Sequence, residues 1–283
     1  MIKPYELSNT MHLIAHGGVG NPRENDDKVK KAIEKGYKEG MSAFEAVIAV
    51  VEELENDPIF NAGKGSRLRL DGSVQMDAAV QSENSIGAVA AVEEVQNPIR
   101  LAEIIHDSPY LLLAGDSATE IAKKRGLESR DLKTDDRISE LEDMRKKLKE
   151  DESLEDYRRF YDEMQGGTVG CVAFENGQTA AAVSTGGTSY SVRGRVGDSP
   201  LIGSGFFVGE NGAVVATGKG EEITTRLSSK RCHDLISHHG IEKACEIAVE
   251  EFPEKHTIGL IAVNETSAFS AANREMAQYT FEK

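Results

Sequence analysis

The chain has 283 residues, 39% of them apolar and 29% charged, and carries a formal net charge of -15. This is an ordinary composition for a soluble globular protein with room for a sizeable core, and its negative charge argues against a nucleic-acid partner, whose phosphates it would repel. No apolar run approaches the roughly 18 residues of a membrane span, the polar opening Met1–Met11 predicts no secretory leader, and three separated cysteines predict no disulfide framework, so a cytoplasmic location is expected.

The first strand is expected over His12–His16, ending in Gly17-Gly18-Val19-Gly20. Val29, Ile33, Gly36 and Tyr37 then fall on one helical face. Ser42 and Glu45 form a capping-box pattern ahead of a second helix, with the stripe Phe44, Val47, Ile48 and Val51, which stops before Asp57-Pro58. Arg67–Leu70 and Ser73–Val80, separated by Asp71-Gly72, predict a hairpin. Ile86–Val92 reads as a buried strand, and Asn97-Pro98 as the start of a helix running to about His106. Another helix is expected from about Ala118 to Arg125.

From Ser129 to about Met164 charged residues dominate and apolar ones are sparse. A processing linker and a solvated surface helix both fit this stretch. Strand character returns at Thr168–Phe174 and Thr179–Thr185, which flank Asn176-Gly177, a strong hairpin signal. A short strand at Ala213–Ala216, helices over Glu221 to about His238 and Ile241–Glu250, and strands at Thr257–Val263 and Ala268–Ala271 complete the reading. Helices segregated from antiparallel hairpins predict two packed sheets with helices outside, an α+β class.

The chemistry concentrates at Gly166-Gly167-Thr168. Alone, this reads first as a glycine turn entering a strand. A threonine hydroxyl is a weak nucleophile that needs a base beside it. At the head of a chain, its own α-amine, with a reference pKa of about 7.7–8.0, meets that need. Two glycines before it permit the strained backbone through which a hydroxyl reaches its preceding carbonyl. Arg195 offers a planar fork for a carboxylate and Asp198 an anion for an ammonium. Together they read as a clamp for a free amino-acid backbone, or as a local ion pair in a turn. Ala216-Thr217-Gly218-Lys219-Gly220-Glu221, at a strand end before a helix, presents outward N–H groups suited to an oxyanion, or is a plain strand-to-helix turn.

Gly63-Lys64-Gly65 and Gly218-Lys219-Gly220 lack the spacer of a nucleotide-binding P-loop. Cys232, His233, His238, His239 and Cys245 fit no zinc spacing and read as a helix end with surface histidines. Cys171 reads as a small buried residue.

Taken together, Gly167–Glu221 closely resembles the plant-type asparaginase and isoaspartyl peptidase family. His16-Gly17-Gly18, Asp57–Gly65 and Met76-Asp77-Ala78 extend that resemblance over nearly the whole chain. The resemblance implies an N-terminal-nucleophile hydrolase with a four-layer αββα sandwich, matured by self-cleavage. One folded domain would then comprise an α subunit, 1–167, with the charged linker at about 129–165, and a β subunit, 168–283.

Residue by residue, the resemblance implies Thr168 as nucleophile and, with Gly167, as the cleavage point. Thr185 and Thr217 would hydrogen-bond around it, and Asn61 would orient the region. Thr217 and the Gly218 N–H would form the oxyanion hole. Arg195 would hold the substrate α-carboxylate and Asp198 the α-ammonium. A structural sodium on backbone carbonyls of Leu54, Glu55 and Phe60 is implied, with no cofactor for catalysis. The implied assembly is a homodimer of cleaved protomers acting on L-asparagine or β-aspartyl dipeptides. Departures are Ala79-Val80-Gln81-Ser82 in place of the usual Met-Asp-Gly, and Lys219 where histidine is frequent. A glycosylasparaginase-like hydrolase, an endopeptidase relative and an uncleaved non-catalytic homologue are the alternatives. The first usually has Asn where Gly186 stands, and the second offers no free α-charges for the Arg195–Asp198 clamp.

Overall fold

The computed structural model describes residues 11–147 and 166–283, so the linker expectation is covered only as far as residue 147. Two β-sheets lie face to face between two layers of helices. The seven-stranded sheet has the order β11-β1-β5-β6-β2-β3-β4: β1 is Met11–Val19, β2 Met76–Ser82, β3 Ile86–Val92, β4 Leu112–Ala114, β5 Val169–Glu175, β6 Gln178–Thr185 and β11 Met276–Glu282. The four-stranded sheet, β10-β9-β8-β7, uses β7 Phe206–Gly209, β8 Gly212–Gly218, β9 Ile258–Val263 and β10 Ala268–Ala272. This is the αββα sandwich that the resemblance implied.

Strand alternation builds the layers. Ile14, Val172, Ala181 and Val183 of the large sheet meet Ala213, Val215, Ile261 and Val263 of the small one. Their neighbours Leu13, Ala15, Cys171, Ala180 and Ala182 face the helices instead. Those helices are α1 (Asp26–Gly36), α2 (Ala43–Asn56), α3 (Pro98–His106) and α4 (Gly115–Lys124). Gly36 lets α1 lie directly on α2, since a Cβ there would sit 2.7 Å from the Ala49 carbonyl. The Ser42–Glu45 capping box is present, with both reciprocal bonds formed. On the far side α7 (Ser228–His239) and α8 (Ile241–Glu250) cover the small sheet. Cys232 and Cys245 pack there as buried free thiols, with sulfurs 3.7 Å apart.

The β5–β6 hairpin forms in the expected register, Glu175 opposite Gln178, with Asn176 at φ 50° and Gly177 at φ 82° as a two-residue turn. Helix α5 spans Asp135–Lys147, so the surface-helix reading holds for that part of the charged stretch. No helix among the described residues is long and apolar enough to cross a membrane.

Three expectations are corrected. Arg67–Leu70 forms no strand ladder with Ser73–Val80: the Asp71-Gly72 turn is closed by Arg69 N–H on the Ser73 carbonyl, but the Leu68 carbonyl accepts from Tyr190 N–H, and Leu70 N–H donates to the Ser191 carbonyl. Backbone of the C-terminal half has taken those groups. The single helix over Glu221 to His238 is two, α6 (Gly220–Arg226) and α7, broken at Leu227 in the left-handed region with φ 50°. The break lets the first N–H groups of α7 reach the carbonyls of Gly203 and Ser204. Finally, β4, β7 and β11 were not foreseen. β4 is three residues long, and β11 owes its state to pairing along β1, His12 opposite Glu282 through His16 opposite Gln278.

Candidate active site

Thr168 sits one residue before β5, buried at 5% exposure. The Gly167 carbonyl, on the bond expected to break, accepts two hydrogen bonds: Thr185 Oγ1 donates at 2.6 Å and Asn61 Nδ2 at 2.8 Å. Both donors are pinned. Thr185 ends β6, and its hydroxyl oxygen accepts from Gly187 N–H at 2.9 Å. Asn61 also donates to the Gly187 carbonyl, accepts from Arg67 N–H on its side-chain oxygen, and accepts from Gly186 N–H on its backbone. Gly186 is needed for this approach, because a Cβ there would lie 2.6 Å from Asn61 Oδ1. Two fixed donors on one carbonyl polarise it toward attack and would stabilise the negative charge that attack creates.

The end of β1 wraps the other side of Thr168. Gly18, at φ 99°, lies so close that a Cβ would be 3.0 Å from the Thr168 carbonyl oxygen and 3.1 Å from its nitrogen. His16 Nδ1 accepts from Gly18 N–H at 3.1 Å. Complete burial pulls the His16 imidazole down to about 3, outweighing a contact with the Thr168 backbone, so the ring stays neutral and keeps the lone pair that holds this turn. Val19 N–H then donates to Thr217 Oγ1 at 3.3 Å. A hydroxyl that accepts still has its own proton to give, so this bond leaves Thr217 able to donate. Gly218, next to it, has φ 145° and is crowded by the Thr257 carbonyl, which excludes a side chain. Among the described residues neither Thr185 nor Thr217 hydrogen-bonds to the Thr168 hydroxyl. Its partner is Ser199, buried, at 3.5 Å, the outer limit of such a bond.

Ser199 follows Asp198, which connects the nucleophile to the expected clamp. Asp198 is buried, and its Oδ2 has no hydrogen-bond partner among the described residues. Burial pushes its carboxyl up to about 7, against the opposing pull of Arg195. Arg195 and Asp198 both press on Gly220, where a Cβ would come within 2.7 Å of Arg195 Nη2 and 2.8 Å of Asp198 Oδ1. Arg195 is also engaged by Glu221, at 3.0 Å from Nη2. The two residues expected to clamp a substrate thus flank Gly220 together, and Glu221 engages the guanidinium that an incoming carboxylate would need.

The family model described as Asparaginase matches residues 9–282. The plant-type L-asparaginase of Thermococcus kodakarensis is 34% identical, over 96% of this chain and 96% of its own. That of Pyrobaculum calidifontis is 38% identical, over 94% and 95%. The isoaspartyl peptidase/L-asparaginase of Mus musculus is 36% identical, over 92% and 83%. The chain belongs to the asparaginase family.

Within this asparaginase fold the sequence missed the residues that hold the clamp in place. Asp77, fully buried, accepts from Gly197 N–H at 3.1 Å and from Ala91 N–H at 2.8 Å. Gln75 Oε1 accepts from Gly194 N–H at 2.6 Å. Arg69, also fully buried, donates to the Gln75 and Arg195 carbonyls and to Ser191 Oγ. Asp77 lay in a block that carried the resemblance, but no spacing rule pairs it with a loop 120 residues away. Asp77→Asn leaves an amide N–H facing a backbone N–H. Steady-state kinetics should show KM for aspartyl substrates raised about tenfold or more, with kcat much less affected. An unchanged KM would reject the positioning role.

The sodium-loop residues are also gathered. A Cβ on Gly63 would meet the Glu55 carbonyl at 2.5 Å, and one on Gly65 would meet the Pro58 carbonyl at the same distance and the Phe60 carbonyl closer still. The Leu54 carbonyl accepts from Asp57 N–H at the end of α2. This crowding by backbone carbonyls excludes a side chain at either glycine.

Proposed function

We propose that this chain is a self-cleaving amidohydrolase acting through an N-terminal threonine on the side-chain amide of L-asparagine and on the isopeptide bond of β-aspartyl dipeptides. Hydrolysis of those bonds is the activity in the names of its relatives. The glycosylasparaginase and non-catalytic alternatives are not favoured by them. The observation that carries the reading is the Gly167 carbonyl held by Thr185 and Asn61 directly before Thr168.

Self-cleavage would proceed by attack of Thr168 Oγ1 on the Gly167 carbonyl carbon. An ester replaces the amide, and water opens it to a Gly167 carboxylate and a free Thr168 amine. In the mature enzyme that amine takes the hydroxyl proton. Oγ1 bonds to the substrate's side-chain carbonyl carbon, and Thr217 with Gly218 N–H receives the oxyanion. The C–N bond breaks as the proton passes to the departing nitrogen, and water hydrolyses the β-aspartyl ester. Arg195 holds the α-carboxylate, displacing Glu221, and Asp198 holds the α-ammonium. We also read a structural sodium, with no catalytic part, on the backbone carbonyls of Leu54, Glu55 and Phe60. We further read the active unit as a homodimer of cleaved protomers in the cytoplasm, where three free buried thiols are stable. The direct test is release of ammonia from L-asparagine and of free amino acid from a β-aspartyl dipeptide, by a preparation that migrates as pieces 1–167 and 168–283. Release from neither substrate would reject the assignment.

The buried carboxyl of Asp198 predicts a pH profile. With its pKa near 7, and a threonine amine at about 7.7–8.0 that must also be unprotonated, log kcat/KM should rise with a slope of about two below pH 7. In Asp198→Asn the slope should fall to about one and kcat/KM by about 100-fold. Because the folded-state pKa is raised, the native state favours the protonated form. The unliganded protein therefore loses stability as pH rises toward 7, and Asp198→Asn should remove that loss in thermal melts. A slope of about one in both proteins would refute the role.

A further inference from the structure

Gly167 borders a cavity of about 300 Å³ that neither Arg195 nor Asp198 lines. Its walls include Asn25, Ile59, Asn61 and Gly167, together with two arginines from distant segments, Arg67 and Arg137. Arg137 is carried by α5, in the charged stretch that precedes the cleavage point. The two guanidinium groups share one carboxylate. Arg67 Nη1 lies 2.7 Å from Glu140 Oε2, and Arg137 Nη1 lies 2.9 Å from both Glu140 oxygens. Among the described residues, two cations here face one anion. No Asp or Glu lies among the described residues that line the cavity, in a chain whose net charge is -15. Arg67 Nε is buried without a hydrogen-bond partner among the described residues, and burial with the nearby Arg137 charge holds the Arg67 pKa below its usual value. Paired guanidiniums suit an anion, and their planar forks favour a carboxylate.

We propose that Arg67 and Arg137 form a subsite for the free carboxylate of the amino acid that leaves a β-aspartyl dipeptide. The inference rests on the amidohydrolase reading. In that reading Arg195 and Asp198 hold the aspartyl half, and the cavity is bordered by Gly167, the residue before the nucleophile, and is small but within the range of ligand pockets. L-Asparagine releases ammonia, which brings no carboxylate. A dipeptide releases an amino acid, which does, so the pair biases the enzyme toward isoaspartyl peptides. The Gly167 carboxylate made by self-cleavage has the same chemistry and is the rival occupant.

The test compares kcat/KM for β-aspartyl-leucine and for the same dipeptide with its C-terminal carboxyl amidated, in the mature wild type and in Arg137→Gln and Arg67→Gln. The wild type should prefer the free acid by about tenfold, and the preference should fall to about one- to twofold in either variant through loss of rate on the acid. Arg137 lies on a surface helix, so Arg137→Gln decides the matter if Arg67→Gln does not mature. Equal rates on acid and amide in the wild type overturn the proposal. So does an undiminished acid preference in Arg137→Gln. If that variant keeps the preference and instead releases its 1–167 piece in gel filtration, the occupant is the Gly167 carboxylate. Wild-type hydrolysis of L-asparagine without acid–amide discrimination sinks this subsite alone, whereas hydrolysis of none of the three substrates sinks the amidohydrolase reading beneath it.

Discussion

Thr168→Ala should remain a single polypeptide of 283 residues and lose at least about 10⁴-fold in kcat on both L-asparagine and β-aspartyl dipeptides. Removing a covalent nucleophile costs on that order because the remaining groups only bind and polarise. Two losses are expected together because one hydroxyl serves both reactions. Thr168→Ser keeps a hydroxyl and should keep both activities at reduced rate. The variant changes little else: Thr168 is buried, its hydroxyl meets only Ser199 at the limit of a hydrogen bond, and its backbone stays in place at the start of β5. Denaturing electrophoresis over several days, with ammonia release measured on the same samples, gives both readouts. An uncleaved Thr168→Ala protein that still hydrolyses asparagine at the wild-type rate would remove the mechanism.

The second large effect belongs to the donors on the Gly167 carbonyl. Thr185→Val keeps the shape and removes a 2.6 Å hydrogen bond. Self-cleavage should slow by about 10²–10³-fold, the cost of losing one preorganised donor to a developing oxyanion. Asn61→Ala should slow it at least as much, because Asn61 also ties Gly187 and Arg67 to the same place. The double variant should be slower than either. Thr185→Ser restores the donor and should recover most of the rate. The check is the intact fraction against time at fixed temperature and pH. Maturation of Thr185→Val at the wild-type rate would show that the bond to Gly167 does not assist cleavage.

Much of the architecture was readable from local pattern. The Ser42–Glu45 box, the Asn176-Gly177 turn, Asn97-Pro98 and the Ile86–Val92 run each carry their instruction within a few residues, and each appears where it was expected. The misreadings share one cause. Arg67–Leu70 looked like one arm of a hairpin around Asp71-Gly72, yet its Leu68 and Leu70 backbone groups are taken by Tyr190 and Ser191. Leu227 interrupts what looked like one helix because Gly203 and Ser204 offer carbonyls to the start of the next. β11 is a strand because β1 is there to receive it. Backbone donors and acceptors must be satisfied, but a distant partner leaves no trace in local spacing.

The site divides the same way. Its candidate groups, Thr168, Thr185, Thr217, Asn61, Arg195 and Asp198, were named from residue chemistry and the resemblance that clustered blocks carry. What the folded chain alone decided is how those groups stand to one another. It put two donors on the Gly167 carbonyl, placed Ser199 rather than another threonine against the nucleophile, buried the Asp198 carboxyl until its pKa approached 7, and suspended the clamp loop from Arg69, Gln75 and Asp77. Residue type sets which reactions a group can undergo, and that is written in the sequence. Proton affinity, polarisation and orientation depend on distances of a few ångströms and on exclusion of water, and these exist only once segments a hundred residues apart have packed together.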